Sequence, residues 1–224
     1  MAIAVIADCH VGGEGGAVDP LVAQLDALAP GSCERLVLLG DVFLAWMGLR
    51  RFETPQIRLF LDAVGRLRRR GVPVTYIEGN RDFYLRSTYG DDFDGIVDRF
   101  AFEAGGRRFL AVHGDGLDPT DRQYRFWRFL SKNPVSRLVA RLVPTSLGQR
   151  IVERTERRLA ETNFRHKIRV PEAALVAFAR RELAAGCDTV LYGHYHDPQV
   201  WTLPQGEVRV LEAWFHERRI HWFG

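Results

Sequence analysis

The sequence predicts an α/β fold in which a mixed β core is flanked by helices and interrupted late by a helical insertion. Three observations predict it. Apolar runs rich in β-branched residues recur at 2–7, 35–39, 72–77, 108–112 and 189–192, and each has the length of a strand. Helix-compatible stretches separate the first three, the alternation expected of a layered α/β domain. Between residues 120 and 170 the strand pattern stops, and Arg-rich pieces divided at Asn133-Pro134, Pro144 and Pro171 take over.

Taken in order, residues 2–7 form a first strand, and residues 19–29 a helix with Asp19 as N-cap and Pro20 at its first position. A second strand at 35–39, a helix over 54–70 and a third strand at 72–77 follow, then the fourth strand at 108–112. The insertion, placed at 120–168, carries Leu138, Val139, Leu142 and Val143 at helical spacing beside Arg137 and Arg141. Its Tyr124, Phe126, Trp127 and Phe129 are read as packing it onto the core. After the fifth strand, shorter runs at 199–203, 207–213 and 219–223 are separated by Pro204-Gln205-Gly206 and His216-Glu217. These predict closely spaced antiparallel strands and therefore a mixed sheet.

Composition bounds the function. With 224 residues, 46% hydrophobic and 26% charged at a net +3, the chain is expected to form one domain over 1–224 and not to be disordered. No apolar run approaches the roughly 18–20 residues of a membrane-spanning helix. The chain opens directly on a strand pattern with no basic or small-residue leader signature, which predicts a cytoplasmic protein. Cys9, Cys33 and Cys187 are scattered without CxxC spacing, so neither a disulfide framework nor a cysteine zinc site is expected. Charge is uneven: residues 120–170 hold thirteen Lys and Arg against four Asp and Glu, or +9, leaving −6 for the remainder.

Chemistry concentrates just beyond the predicted strand ends. Asp8 and His10 follow the first strand, Gly40-Asp41 the second, Gly79-Asn80-Arg81-Asp82 the third, His113-Gly114-Asp115 the fourth and Gly193-His194-Tyr195-His196 the fifth. In open α/β sheets the carboxyl strand ends converge on the ligand crevice, so these clusters are expected to meet. Asp8, His10, Asp41, Asn80, His113, His194 and His196 are oxygen and nitrogen donors suited to Mn²⁺, Fe²⁺ or Zn²⁺. They are too many for one such ion and suit two. Paired ions polarise a phosphoryl group, activate water and steady both ends of an in-line displacement, so phosphoester hydrolysis is the natural use. His216 and His221 lie outside the set and are read as packing or surface, and Cys9 as structural.

The order DxH, GD, GN, HGD, GHxH, running from Asp8 to His196, resembles the calcineurin-like metallophosphoesterase superfamily. That resemblance implies a four-layer αββα sandwich. It also implies a dinuclear site in which Asp8, His10 and His196 hold one ion, Asn80, His113 and His194 the other, and Asp41 bridges. Gly79-Asn80-Arg81-Asp82-Phe83, Gly40-Asp41-Val42-Phe43-Leu44-Ala45-Trp46, His113-Gly114-Asp115-Gly116-Leu117 leading to Asp121 and Tyr124, and Glu212-Ala213-Trp214 are similar to the UDP-2,3-diacylglucosamine diphosphatases of lipid A biosynthesis. The family implies Mn²⁺ dependence, a UDP-linked diacylated glucosamine substrate and peripheral association with an anionic inner-membrane surface; no nucleic acid is expected.

In that reading Arg81 and His194 stabilise developing charge, and Asp82 and Asp115 orient the ligands. Asn80, Arg81, Asp121, Asn163, His194 and Lys167 (or His166, one residue away) contact the substrate. Arg81 stands where many superfamily members carry a leaving-group histidine; its guanidinium stays charged and can take two phosphate oxygens at once. Two departures mark this chain: Met47-Gly48-Leu49-Arg50-Arg51 follows Trp46 where an acidic pair is usual, and Leu159 replaces an expected serine. Rival readings are a related phosphoesterase acting on another nucleotide- or lipid-linked substrate, and a non-catalytic module binding anions or nucleic acid through the +9 segment.

Overall fold

Side chains alternate across a strand, and in this chain that alternation sorts the apolar residues into three separate cores. The computed structural model describes residues 2–120 and 170–224, together with positions 133, 136, 138, 142–144, 148 and 154. One five-stranded sheet is ordered β12-β1-β2-β4-β6, from β1 (Ala2–Ile6), β2 (Cys33–Leu38), β4 (Val74–Ile77), β6 (Gly95–Val97) and β12 (His221–Phe223). The second is ordered β10-β11-β9-β8-β7, from β7 (Arg99–Ala104), β8 (Arg107–Val112), β9 (Thr189–Tyr192), β10 (Gln199–Leu203) and β11 (Gly206–Val210). The inner strands run parallel in both sheets, whereas β12, β7 and β10 are antiparallel to their neighbours. A small parallel pair joins β3 (Trp46–Met47) to β5 (Asp82–Phe83).

Ile3, Val5, Val37, Leu39 and Ile77 of the first sheet meet Phe102, Phe109, Ala111 and Leu191 of the second in a core between the sheets. The alternate residues Ala4, Ile6, Leu36 and Leu38 point outward onto α1 (Asp19–Ala27) and α2 (Pro55–Arg69). On the far side Leu110, Val112, Val190 and Tyr192 pack against Leu175, Ala179 and Leu183 of α4 (Glu172–Ala184). The order is helix, sheet, sheet, helix, the αββα sandwich. Short helices α3 (Arg86–Tyr89) and α5 (Trp214–Glu217) lie within the connections.

The helices follow from their sequences. In α2, Thr54 is the N-cap, its hydroxyl accepting from the Ile57 N–H at 3.3 Å, with Pro55 opening the first turn. Ile57, Phe60, Ala63, Val64 and Leu67 make its buried stripe. The expectation for α1 needs correction: Asp19 is the first helical residue, Val18 is the N-cap, and no side chain caps the end.

The C-terminal runs also differ from the expected run of antiparallel neighbours. Only β10 and β11 form a hairpin; β11 lies parallel to β9, and β12 crosses to the other sheet to pair with β1. Strands β6 and β7 were not expected. The insertion expected over 120–168, with Asp121, Asn163 and Lys167, lies outside the described residues apart from the positions named above, of which Ser136, Leu138, Leu142, Gly148 and Arg154 are helical.

Adjacent residues of α2 test the layering. Phe60 is fully buried, with ring contacts to Phe43 at 5.5 Å and Trp46 at 5.8 Å, while Leu59 is 48% exposed. Phe60→Ala is expected to cost about 3–5 kcal/mol, and Leu59→Ala no more than about 0.5 kcal/mol, measured by urea unfolding of both variants.

Candidate metal centre

Because β1, β2 and β4 run parallel in one sheet, and β8 and β9 in the other, their carboxyl ends carry the five polar clusters to one edge of the sandwich. The loops are tied to one another by main-chain bonds. His10 N–H donates to the Asp41 carbonyl at 3.1 Å and Val11 N–H to that of Val42 at 2.9 Å, while His194 N–H donates to Asp8 Oδ2 at 2.9 Å. The Tyr195 hydroxyl donates to the Gly114 carbonyl at 3.0 Å, joining the loops after β8 and β9.

Two groups of donors result. Asp8, His10 and His196 form one, and Asp41, His113 and His194 the other, the ligating atoms of each lying within 4.8 Å of one another. Asp41 Oδ2 stands between them, 3.9 Å from His10 Nε2 and 3.6 Å from His113 Nε2. Asn80 Oδ1 lies 3.1 Å from His113 Nε2. All seven positions singled out in the sequence are therefore brought together. The donor set suits a divalent transition ion, and the surroundings favour one: among the described residues, Asp8 Oδ1 and both ring nitrogens of His10 are buried with no hydrogen-bond partner closer than 3.4 Å. Such groups are costly in a protein interior unless a cation or proton compensates them.

The backbone pays attention to side-chain chemistry here through its dihedrals. Asp8, His10, Asp41, His194 and His196 all have positive φ, between 46° and 64°. Asp and His tolerate this left-handed region better than most residues, but each still costs on the order of 1–3 kcal/mol. The glycine before Asp41 is required twice over. Gly40 has φ +85°, and a Cβ there would lie 2.5 Å from His113 Nδ1. At Gly193 a Cβ would come within 2.7 Å of Asp8 Oδ2.

Burial alone would raise both carboxyls, yet both sit low. His196 and the positive charge of His113 hold Asp8 below the ordinary carboxylate value. Asp41 is held well below it by His113, His10 and Arg81. His113 is pushed up to about 10 because Asp41 outweighs the effect of burial. His194 goes the other way, to about 4, from burial and then the repulsion of His113. His113 Nδ1 faces the Leu39 carbonyl at 2.8 Å, which turns Nε2 toward Asp41 and Asn80.

Arg81 is drawn inward, its side chain 12% exposed. Its Nε lies 3.5 Å from Asp41 Oδ2, and its main-chain N–H donates to Asp41 Oδ1 at 2.8 Å. Asp82, fully buried, accepts from the N–H groups of Asp41 at 3.0 Å and Gly79 at 2.8 Å, locking the loops after β2 and β4 together. Asp115 is buried and its charge acts on His113 and His194. Sequence reasoning missed two neighbours. Glu14 Oε2 lies 3.4 Å from His10 Nδ1 and is held down to about 2, chiefly by that contact. Phe215 stacks on His10 at 4.9 Å and meets His196 edge-on at 5.0 Å. The signal for Phe215 was its place directly after the Glu212-Ala213-Trp214 motif; nothing in the sequence marked Glu14.

A sequence model of the calcineurin-like phosphoesterases matches residues 1–198. The chain is 28% identical over 194 residues to a UDP-2,3-diacylglucosamine hydrolase of Yersinia pestis bv. Antiqua (strain Angola), covering 82% of this chain and 79% of that protein. It is 29% identical over 223 residues to a UDP-2,3-diacylglucosamine hydrolase of Shigella dysenteriae serotype 1, covering 97% and 92%. Among solved structures, a novel archaeal phosphodiesterase superposes with a TM-score of 0.48 at 12% identity, over 100% of this chain and 99% of that one.

The clamp at Asp82 is testable. Asp82→Ala leaves the buried Asp41 and Gly79 donors without this acceptor and is expected to lower stability by about 2 kcal/mol or more. Asp82→Asn keeps an acceptor oxygen and is expected to lose less, both read by chemical denaturation.

Proposed function

The chain belongs to the calcineurin-like phosphoesterase family, and from that membership we propose that it hydrolyses the pyrophosphate bond of UDP-2,3-diacylglucosamine to UMP and 2,3-diacylglucosamine 1-phosphate, a step of lipid A biosynthesis. It is a metal-dependent hydrolase. The observation that carries the proposal is the pair of donor groups meeting at Asp41 with Arg81 against the same carboxylate. The names of the curated relatives support the substrate.

In this reading Asp8, His10 and His196 would hold one divalent ion and Asn80, His113 and His194 the other, with Asp41 placed between the two groups and Mn²⁺ the expected metal. Bound ions supply Lewis acidity and lower the pKa of water. The chain's own residues do the rest. Arg81 and His194 take up charge developing on the phosphoryl oxygens, and Arg81 does so with a cation that no working pH removes. The leaving group is a phosphate monoester, which needs protonation less than an alkoxide does. An arginine therefore suits this substrate at a position where an alkoxide-releasing enzyme needs a histidine. Asp82 and Asp115 orient the loops and ligands, while Asp121, Asn163 and Lys167 are assigned to substrate contact.

The insertion is read as the part that receives the lipid, at an anionic inner-membrane surface on the cytoplasmic side. Its +9 charge would draw an anionic amphiphile, and Leu138 and Leu142, one helical turn apart, are 58% and 75% exposed. No helix among the described residues is long and apolar enough to cross a membrane. A second reading, hydrolysis of a different nucleotide- or lipid-linked phosphodiester, is favoured by the loop after Trp46. There Arg50 pairs with Asp92 at 2.8 Å and Glu53 at 3.3 Å, and its guanidinium lies over Tyr89.

Product analysis decides between them. With Mn²⁺ and UDP-2,3-diacylglucosamine the chain is expected to release UMP, to stop on chelation with EDTA and to resume when Mn²⁺ is restored. Turnover of another diphosphate or an aryl phosphodiester without UMP from the lipid substrate would favour the second reading. Arg81→Ala is expected to lower kcat/KM by about 10- to 150-fold, the worth of a hydrogen bond to a charged group, with Arg81→Lys recovering only part.

A further inference from the structure

We infer that Glu14 is a positioning residue for His10, keeping a proton on Nδ1 and thereby presenting Nε2 to Asp8 and Asp41. The inference rests on the reading of His10 as a metal ligand. It starts from a contrast between two buried histidines. His113 has a main-chain carbonyl, that of Leu39, at 2.8 Å from Nδ1 to fix which nitrogen faces the centre. Among the described residues His10, 1% exposed, has no such carbonyl; what stands beside its Nδ1 is a carboxylate, at the long limit of a hydrogen bond. Its Nε2 faces Asp41 Oδ2 at 3.9 Å and Asp8 Oδ1 at 4.0 Å, while its Nδ1 faces Glu14 Oε2 at 3.4 Å.

The ring has little freedom to turn. Phe215 covers one face at an interplanar angle of 17°, and His196 meets it edge-on at 4.8 Å. What remains undetermined is the tautomer, and a carboxylate beside Nδ1 determines it: Nδ1–H donates to Glu14, and Nε2 keeps its lone pair for the centre.

The segment carrying Glu14 is built to return to His10. The N–H groups of Gly13 and Gly15 both donate to the His10 carbonyl, at 3.0 and 3.1 Å, and Gly16 N–H donates to the Gly13 carbonyl at 2.9 Å. The Glu14 carboxylate is thus held beside Nδ1. Gly15 packs so closely on the Cys9 carbonyl that no side chain fits there. The Glu14 side chain is 39% exposed, so its carboxylate remains hydrated and is not a further charge buried in the interior. Removing it is therefore a mild change to the fold and a specific change to His10.

The test loads full-length, chelator-stripped protein with Mn²⁺ alone and measures affinity by titration calorimetry for wild type, Glu14→Ala and Glu14→Gln, with thermal unfolding of the metal-free chains as the fold control. Glu14→Ala is expected to weaken Mn²⁺ binding by about 10- to 100-fold, the usual effect of removing a group that orients a ligating histidine. Glu14→Gln is expected to fall between, because its amide oxygen still accepts Nδ1–H. In the Zn²⁺-loaded protein the His10 Nδ1–H resonance is expected to be protected from solvent exchange in wild type and lost in Glu14→Ala. Affinity within twofold of wild type in Glu14→Ala, or an equal loss in Glu14→Gln, overturns the positioning role. A wild-type chain that takes up no Mn²⁺ overturns the metal reading and this inference with it.

Discussion

The structure turns on one carboxylate. Asp41 is 1% exposed, and its oxygens face His10, His113 and Arg81 at 3.5–3.9 Å and the Arg81 N–H at 2.8 Å. An unpaired charge at such depth would cost several kcal/mol. The chain meets that cost by surrounding Asp41 with cationic or protonatable groups drawn from both sheets. His10 comes from beyond β1, Arg81 from beyond β4 and His113 from beyond β8, so the carboxylate is satisfied only when the two sheets are packed. The inter-sheet core of Ile3, Val5, Val37 and Leu39 against Phe109, Ala111 and Leu191 is thereby coupled to the chemistry of the edge.

Strain follows from the same crowding. Five of the seven candidate ligands adopt a left-handed backbone, which lets each chain turn at once and throw its side chain toward the neighbouring loop. The fixed main-chain bonds between loops, and Asp82 bridging Asp41 N–H and Gly79 N–H, make these conformations the best available. The parallel pair of Trp46–Met47 with Asp82–Phe83 adds a brace beneath, with Trp46 fully buried against Phe43, Phe60, Tyr76 and Tyr89. The basic loop after Trp46 is thus an outer departure on an inner support that the aromatic cluster fixes.

Much of this was legible because it is written with short periods. Apolar runs located β1, β2, β4, β8 and β9 to within a residue or two, and the polar clusters after them named the candidate site in chain order. What escaped detection depends on partners distant in sequence. Strand β7, Arg99–Ala104, alternates Arg, Phe, Ala, Phe, Glu, Ala and gains its strand character by pairing with β8 across a tight turn. The switch of β12 to the first sheet is set by pairing of Ile3 with Phe223, which no local pattern reports. At α1 the competing signal was Pro20, compatible with either of the first two helical positions, so Asp19 was placed one residue outside the helix that contains it. Glu14 sits in a glycine-rich loop, where an acidic residue has no period to violate. Only the fold of that loop back onto the His10 carbonyl gives it meaning.

Charge completes the picture. Near the surface the core's acids are largely answered by arginines: Asp26 by Arg66, Asp94 by Arg68, Asp92 by Arg50, Glu182 by Arg99 and Glu217 by Arg219. Such exposed pairs contribute little to stability, but they cancel the field locally. Asp8 and Asp41 are answered instead by histidines, whose charge depends on a proton and which give it up to bind a cation. Among the described groups around them, Arg81 offers permanent positive charge, and it is directed at Asp41. The −6 outside the 120–170 segment is thus not spread evenly in its effect: where arginine covers the acids the surface is neutralised, and where histidine faces them the interior is prepared for a divalent ion.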